Sequence, residues 1–215
     1  MPGHNGMRSD SLLKLKEARD VVVSRVRRLG ANRRLPVLVA IDGRSGSGKS
    51  VLGSMVAEAL SAALVQSDDF YASNISDDEW DTLSPRERAA KVIDWQRLRA
   101  EALEPLLRGK AAEWHTFDFA LVRPDGTYPP KRDPTRCSPA AVIVLEGAYS
   151  SGPQIADLVD LSVLVDAPVS VCHERLSTRE EKEFLHSWHA RWDAAEEYYF
   201  SQVRPKSQFD LVVEN

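Results

Sequence analysis

Three features of the sequence predict a three-layer α/β fold built on a mostly parallel sheet. Short aliphatic, β-branched runs recur without polar alternation, as strands covered on both faces require. Segments with helical apolar spacing lie between them. A glycine-rich loop joins the first such strand directly to the helix that follows it. At 215 residues, the chain is sized for one substantial domain with its own core.

The first ten residues are polar and contain glycine, which predicts a frayed tail. Leu12, Leu15, Val22, Val26 and Leu29 then recur at helical spacing, with Gly30 and Asn32 as stop signals. Residues 1–34 therefore read as a tail and an amphipathic helix, ahead of a main domain over 35–215. Arg8 to Arg34 holds nine basic and three acidic residues, which we assign to a solvated helix face. Val37 to Ile41 is the first buried strand, the loop Gly43 to Ser50 follows, and Leu52, Met55, Val56, Ala59, Leu60 and Ala63 mark one face of a helix. Leu64 to Gln66 opens a second strand, which completes a βαβ unit.

Further strands are predicted at Ala141 to Leu145, Leu161 to Val165 and Phe209 to Val213, with helices near Gln154 to Val159 and over Pro168 to Leu176. The intervening stretch, about 73–139, reads as an insertion over the sheet. It carries a helix from Asp94 to Arg108, a strand-like Glu113 to Phe119, and a turn-rich run with Asp125-Gly126 and Pro129-Pro130. A long helix from Lys182 to Val203 places Trp188, Trp192, Ala195 and Tyr199 on one stripe, which we assign to core packing.

Apolar residues make up 43% and charged residues 28% of the chain, a mix that excludes wholesale disorder and fibrous structure. No apolar run approaches the roughly 18 residues that span a bilayer, and the start lacks the apolar core of a signal peptide. Two cysteines, Cys137 and Cys172, make no disulfide framework, so a cytoplasmic location is expected. The net charge of −4 gives no global pull toward nucleic acid or anionic membrane. Self-association is left open.

Gly43-Arg-Ser-Gly-Ser-Gly-Lys-Ser50 satisfies GxxxxGK[ST], a match expected by chance in about one per cent of chains this long. Its place between a buried strand and a helix is the arrangement in which backbone N–H groups and the helix dipole converge on phosphate. Gly43, Ser45, Gly46, Ser47, Gly48, Lys49, Ser50 and Val51 are the candidate nucleotide-binding residues, with Lys49 on the β and γ phosphates and the Ser50 hydroxyl on Mg²⁺. Asp68-Asp69-Phe70-Tyr71 falls where the second strand ends, at the carboxyl edge where ligands bind in such sheets. Asp68 is the candidate base for a hydroxyl acceptor, with Tyr71 beside it; Asp69 is read as structural. Glu146-Gly147 closes another strand at the same edge, suited to Mg²⁺ or water beside the γ-phosphate.

Asp166 precedes Ala167-Pro168 and reads as a cap for the next helix. Arg175 and Arg179, one helical turn apart, are candidates to neutralise charge on a phosphoryl group in transfer. His186 and His189 are spaced for one helix face, with Cys172 and His173 nearby, yet the set lacks firm ligand spacing and is assigned no metal.

Together GRSGSGKS, DDFY, Asp94-Trp95, the FDF at Phe117 to Phe119, the LEG at Leu145 to Gly147 and the RLSTR at Arg175 to Arg179 resemble the uridine kinase and phosphoribulokinase group of P-loop kinases over about residues 37–215. The resemblance implies a three-layer P-loop kinase fold with a five-stranded core of order 2-3-1-4-5, helices on both faces, a lid helix and a substrate-side insertion. It implies ATP with Mg²⁺ as donor and a hydroxyl of a small molecule, most readily a nucleoside, as acceptor. It makes Asp68 the catalytic base, Asp94 a ligand of ribose hydroxyls, Phe117 an aromatic residue against the nucleobase, Glu146 the metal-side glutamate, and Arg175 and Arg179 lid arginines. Uridine–cytidine kinases have a histidine a few residues after the motif matching FDF; here Val122 and Arg123 occupy that neighbourhood, and Arg123 joins the substrate-side candidates. Two alternatives stand beside this reading: a kinase for a non-nucleoside acceptor such as pantothenate or a sugar phosphate, and an ATP-binding regulatory protein without an acceptor. The guanine-reading NKxD motif is absent from the sequence, so a GTPase is not expected.

Overall fold

The computed structural model describes residues 9–31, 33, 36–178 and 182–215; the polar start of the chain, Asn32, Arg34, Leu35 and the segment Arg179 to Glu181 lie outside them. The chain begins with α1 (Ser9–Gly30), β1 (Val37–Asp42), α2 (Lys49–Leu60) and β2 (Ala63–Gln66). The insertion supplies α3 (Asp77–Thr82), α4 (Pro85–Lys91), α5 (Trp95–Arg97), a π-helical turn (Leu98–Leu103), α6 (Glu104–Leu107), β3 (Ala112–Trp114) and β4 (Thr135–Cys137). The chain then returns through β5 (Val142–Glu146), β6 (Leu161–Asp166), α7 (Val169–Ser177), α8 (Lys182–Tyr198), a second π-helical turn (Tyr199–Val203) and β7 (Leu211–Glu214).

β1, β2, β5, β6 and β7 form one parallel sheet of order β2-β5-β1-β6-β7. Counting only these strands, the order is 2-3-1-4-5, as the resemblance implies. All six residues of β1 are buried, and their pleat sorts them between two cores. Val37, Val39 and Ile41 join Val144, Val163, Leu52 and Val56 on the face covered by α1 and α2. Leu38 joins Ile143, Leu145, Trp192 and Tyr199 on the face covered by the insertion and α8. Uninterrupted apolar strands arise here because each face has its own helical layer. Among the described residues, no helix is long and apolar enough to cross a membrane.

Local signals explain the element ends. Ser76 caps α3, and Ser84 and Glu87 form a reciprocal capping box around Pro85 at the start of α4. The π turn in the long insertion helix precedes Pro105, which has no N–H to continue a regular ladder. Two expectations need correction. The strand read over Glu113 to Phe119 is regular only in β3; beyond it Phe117 makes a single bridge to Pro130, because Pro129 and Pro130 cannot donate to a ladder. The helix read near Gln154 to Val159 is one 3₁₀ turn, Pro153–Ile155, too short to present a periodic face.

The N-terminal helix is part of the packing. Leu15, Val22 and Val26 of α1 are buried in the core beneath the sheet, and a Cβ added at Gly48 would lie 3.5 Å from Leu15 Cδ1. Leu15 thus backs the glycine-rich loop. Leu15→Ala is expected to lower unfolding free energy by roughly 2–5 kcal/mol in urea titrations; a loss below about 1 kcal/mol would show that α1 is not integral to this core.

Candidate active site

Ile41, Glu146 and Gln66 stand in register across β1, β5 and β2. Their successors Asp42, Gly147 and Ser67 therefore leave the sheet side by side, at its carboxyl edge. Three loops start there, and they carry the candidate chemistry.

The first loop turns through left-handed Gly46 (φ +82) and Gly48 (φ +101) into α2. A side chain at Gly46 is barred, since its Cβ would lie 2.5 Å from the Cys172 carbonyl oxygen of α7. Gly48 is the N-cap and offers no side-chain acceptor to the first turn of α2. Among the described residues, the amides of Gly46, Gly48, Lys49 and Ser50 meet no acceptor within the chain, and the buried Ser47 hydroxyl is also unpartnered. Carbonyls on the other side of the loop are engaged: Arg175 donates to Gly46 O at 3.2 Å and Ser47 O at 3.1 Å, and Asn215 Nδ2 donates to Ser47 O at 2.6 Å. Lys49 is buried, with Nζ 3.4 Å from Arg44 O. Free inward amides beside a buried lysine at a helix N-terminus fit a polyphosphate.

Glu146 sits next to this cradle. Ser50 Oγ donates to Glu146 Oε2 at 3.0 Å and Gln66 Nε2 to Oε1 at 3.1 Å. Burial raises its carboxyl above the usual range, Lys49 draws it down, and the charge of Asp68 raises it further. A hydroxyl and a carboxylate at hydrogen-bond distance form the hard oxygen set that Mg²⁺ takes beside phosphates.

Asp68 stands on a 3₁₀ turn, Ser67–Phe70, that directly follows β2. The turn drives Phe70 into the core, and Asp69 Oδ2 accepts from Trp114 Nε1 at 2.8 Å, which leaves Asp68 to face the cleft. Gly147 (φ +141) permits this approach: a Cβ there would lie 1.9 Å from Ser67 Oγ and 3.4 Å from Asp68 Oδ1. Asp69 is raised by burial, partly offset by Trp114.

Asp42, which sequence reasoning passed over, is fully buried and bonded to two of these loops. Its Oδ1 accepts from Gly43 N at 2.8 Å and Tyr149 N at 2.9 Å; its Oδ2 accepts from Ser151 N at 2.9 Å and Tyr199 OH at 2.8 Å. Tyr149 occupies a left-handed conformation (φ +68), costly for a bulky residue and held in place by that amide bond. The signal available in the sequence was a carboxylate ending an apolar strand immediately before the phosphate motif.

Ser45 and Asp68 open onto a cavity of about 400 Å³ walled by aromatic side chains. Tyr71 packs 5.2 Å from Phe117 and 6.2 Å from Trp192, and Phe119 lies 4.8 Å from Tyr128, all between ring centroids. α8 forms one wall with Trp188, Arg191, Trp192 and Glu196. Glu196 Oε1 accepts from Ser45 N at 3.0 Å and Ser45 Oγ at 2.8 Å, and Arg191 pairs with Asp77 at 2.7 Å and Asp81 at 2.8 Å. The stripe of Trp188 and Trp192, assigned to core packing, thus also faces this cavity.

Ser45, Asp68, Tyr71 and Phe117 line one cavity, while Ser50 bonds Glu146, whose carboxyl feels the charges of both Lys49 and Asp68. Gly43 links β1 to the loop, and the Val51 side chain packs into the core beneath α2. Arg175 grips the carbonyl side of the loop and donates to Ser11 Oγ of α1 at 3.0 Å. Asp94 caps α5, its Oδ1 accepting from the Arg97 N–H at 3.1 Å. Arg123 lines a separate cleft with Asn74, Arg97 and His115. Arg179 lies outside the described residues.

The model of the phosphoribulokinase / uridine kinase family matches residues 38–214. The uridine kinase of Aliivibrio salmonicida is 28% identical over 179 residues, covering 79% of this chain and 77% of that protein. The uridine kinase of Vibrio parahaemolyticus is 31% identical over 160 residues, 68% of this chain and 70% of that protein. In fold, the chain is similar to a Bacillus stearothermophilus structure titled a possible uridine kinase, with a TM-score of 0.67, 17% identity, and coverage of 93% of this chain and 98% of that one. The D-glycerate 3-kinase of Cryptococcus neoformans gives a TM-score of 0.64 at 15% identity, covering 93% and 95%.

Burial pushes the Asp42 carboxyl up to about 6 despite its hydrogen bonds and the nearby Lys49 charge. A raised folded-state pKa contributes stability that is full below the unfolded value and is lost as pH rises through about 6. The natural protein should therefore gain stability over Asp42→Asn as the pH falls from about 7.5 to 5, read by urea unfolding at both. A pH-independent difference would place this carboxyl in the ordinary range. Asp42→Ala, which strands four buried donors, should cost at least about 3 kcal/mol.

Proposed function

The chain belongs to the phosphoribulokinase / uridine kinase family, and from that premise we propose that it transfers a phosphoryl group from MgATP to a hydroxyl of a nucleoside held in the aromatic cavity. One observation carries the reading: Asp68 and the phosphate loop's Ser45 open onto the same aromatic-walled cavity. When bound, MgATP supplies the γ-phosphoryl group and the charge neutralisation of its ion. The free amides of Gly46, Gly48, Lys49 and Ser50, with the Lys49 ammonium, hold the phosphates, and Ser50 with Glu146 holds the metal. Asp68 would orient the acceptor hydroxyl and take its proton as its oxygen bonds to the γ-phosphorus and the bond from that phosphorus to the bridging oxygen breaks, with ADP leaving. Tyr71, Phe117 and Trp192 offer ring faces to a planar base and keep water from the reacting hydroxyl.

The charge of the cavity favours a nucleoside over the other acceptors. Among the described residues lining it, Arg191 is the one cation, and Asp77 and Asp81 already pair with it. Asp68, Asp77 and Glu196 contribute carboxylates to the same surface. A sugar phosphate or the carboxylate of pantothenate would meet net negative charge there, whereas an uncharged nucleoside would not.

ADP release assayed over nucleosides, pantothenate and sugar phosphates should show turnover with a nucleoside. Turnover confined to pantothenate or a sugar phosphate would overturn the acceptor assignment, and none above background ATPase would overturn the kinase reading. Asp68→Asn should cut kcat by roughly 10²–10⁴-fold with the KM for ATP nearly unchanged; full retained activity would remove Asp68 from the base role. Phe117→Ala should raise the nucleoside KM by about tenfold with a smaller change in kcat.

A further inference from the structure

α7 and α8 meet at a second cluster, beside the phosphate loop, where His173 and Asp193 line a small pocket with Arg44 and Ser45. His189 and Asp193 are four residues apart on α8 and so share a face, and His173 of α7 comes up opposite them. His189 Nδ1 lies 3.0 Å from Asp193 Oδ1, and His173 Nε2 lies 3.1 Å from Asp193 Oδ2. The two imidazole centroids are 4.0 Å apart. One ligating atom from each of the three residues falls within a 4.8 Å span. Their side chains are 40%, 25% and 40% exposed for His173, His189 and Asp193, so an ion can reach them from solvent.

We propose that His173, His189 and Asp193 form a binding site for a divalent transition-metal ion of the zinc class, which pins α7 to α8. Two imidazoles and one carboxylate are a common zinc set, with a fourth position left for water. The same set is a poor match for Mg²⁺, which prefers oxygen ligands and near-ideal octahedral geometry, so the ion needed for phosphoryl transfer does not compete for it. Ligands from two helices convert binding energy into a fixed helix–helix geometry. α7 carries Arg175, which grips the outside of the phosphate loop, and α8 carries Trp192 and Glu196 along the cavity. The pairing could not be read from the sequence because Asp193, not His186 or Cys172, completes the set; Cys172 is buried and its Sγ is turned to Ala167 O at 3.8 Å.

The test is titration of Zn²⁺ into metal-stripped full-length protein in excess Mg²⁺, followed by calorimetry, with Co²⁺ as a spectroscopic probe. One ion per chain should bind with a Kd of about 10 μM or tighter, and Co²⁺ should give the intense visible bands of a four-coordinate site. His173→Ala and His189→Ala should each weaken binding by about tenfold or more, Asp193→Asn likewise, and His186→Ala should leave it unchanged. Zn²⁺ should also raise the melting temperature of the natural protein and not of the His173→Ala/His189→Ala double variant. Equal zinc affinity in the natural protein and the double variant would overturn the site, as would no binding at about 100 μM Zn²⁺. The three residues would then be a hydrogen-bonded clip between helices. If the double variant fails to fold, the Co²⁺ spectrum of the natural protein decides, and weak bands of octahedral type overturn the proposal.

Discussion

The carboxylate of Asp42 holds the site together. It accepts from the first residue of the phosphate loop, from two amides of the segment after β5 and from the hydroxyl of Tyr199. Its burial is costly, as its raised proton affinity records, and the four donors offset that cost. The reason for such an investment lies in the loop itself. An anion-binding loop must keep its amides free for the ligand, so those amides cannot stabilise its own conformation. The shape must be imposed from outside, and here it is: by Asp42 at the entry, by Arg175 and Asn215 on the carbonyls, and by Leu15 behind Gly48.

This division of labour also gives the N-terminal helix a place. α1 supplies Leu15 to the back of the loop and Ser11 to Arg175, while its apolar stripe closes the lower core. Arg175, which resembled a lid arginine, bridges α7, the carbonyls of the loop and α1. A guanidinium is suited to this task because its fork can serve two adjacent carbonyls and a hydroxyl at once.

Features that depend on local periodicity were legible in the sequence. The sheet strands announced themselves by apolar runs, and α2 by its glycine-rich entry. The placement of Asp68 and Glu146 at the sheet's carboxyl edge followed from strand ends alone, since a residue at the end of a parallel strand emerges at the ligand edge. What stayed hidden is non-local. Tyr71, Phe117 and Trp192 meet across more than a hundred residues of chain, and no spacing rule joins them. Asp94 and Arg123 show the opposite limit: a motif position identified them, yet local geometry directs the first to a helix cap and the second to another cleft. The Pro129-Pro130 pair made the irregular hairpin beyond β3 foreseeable in kind but not in path.

α8 shows why an apolar stripe specifies direction without specifying company. Trp188, Trp192, Ala195 and Tyr199 recur at helical spacing whether they face protein or an aromatic-walled cavity, because either surroundings suit apolar side chains. Position on the helix is settled by its polar flanks. Glu196 bonds Ser45 of the phosphate loop, Arg191 bonds Asp77 and Asp81 of α3, and Arg88 of α4 donates to the Arg191 carbonyl oxygen at 2.7 Å. One helix is thereby referenced at once to the phosphate cradle and to the insertion. The aromatic wall it carries is consequently set relative to Asp68 by half-buried and exposed polar contacts on both sides. A shift of α8 would have to break charge-assisted bonds at several points together, so the distance between the two halves of the cleft is fixed cooperatively rather than by any single contact.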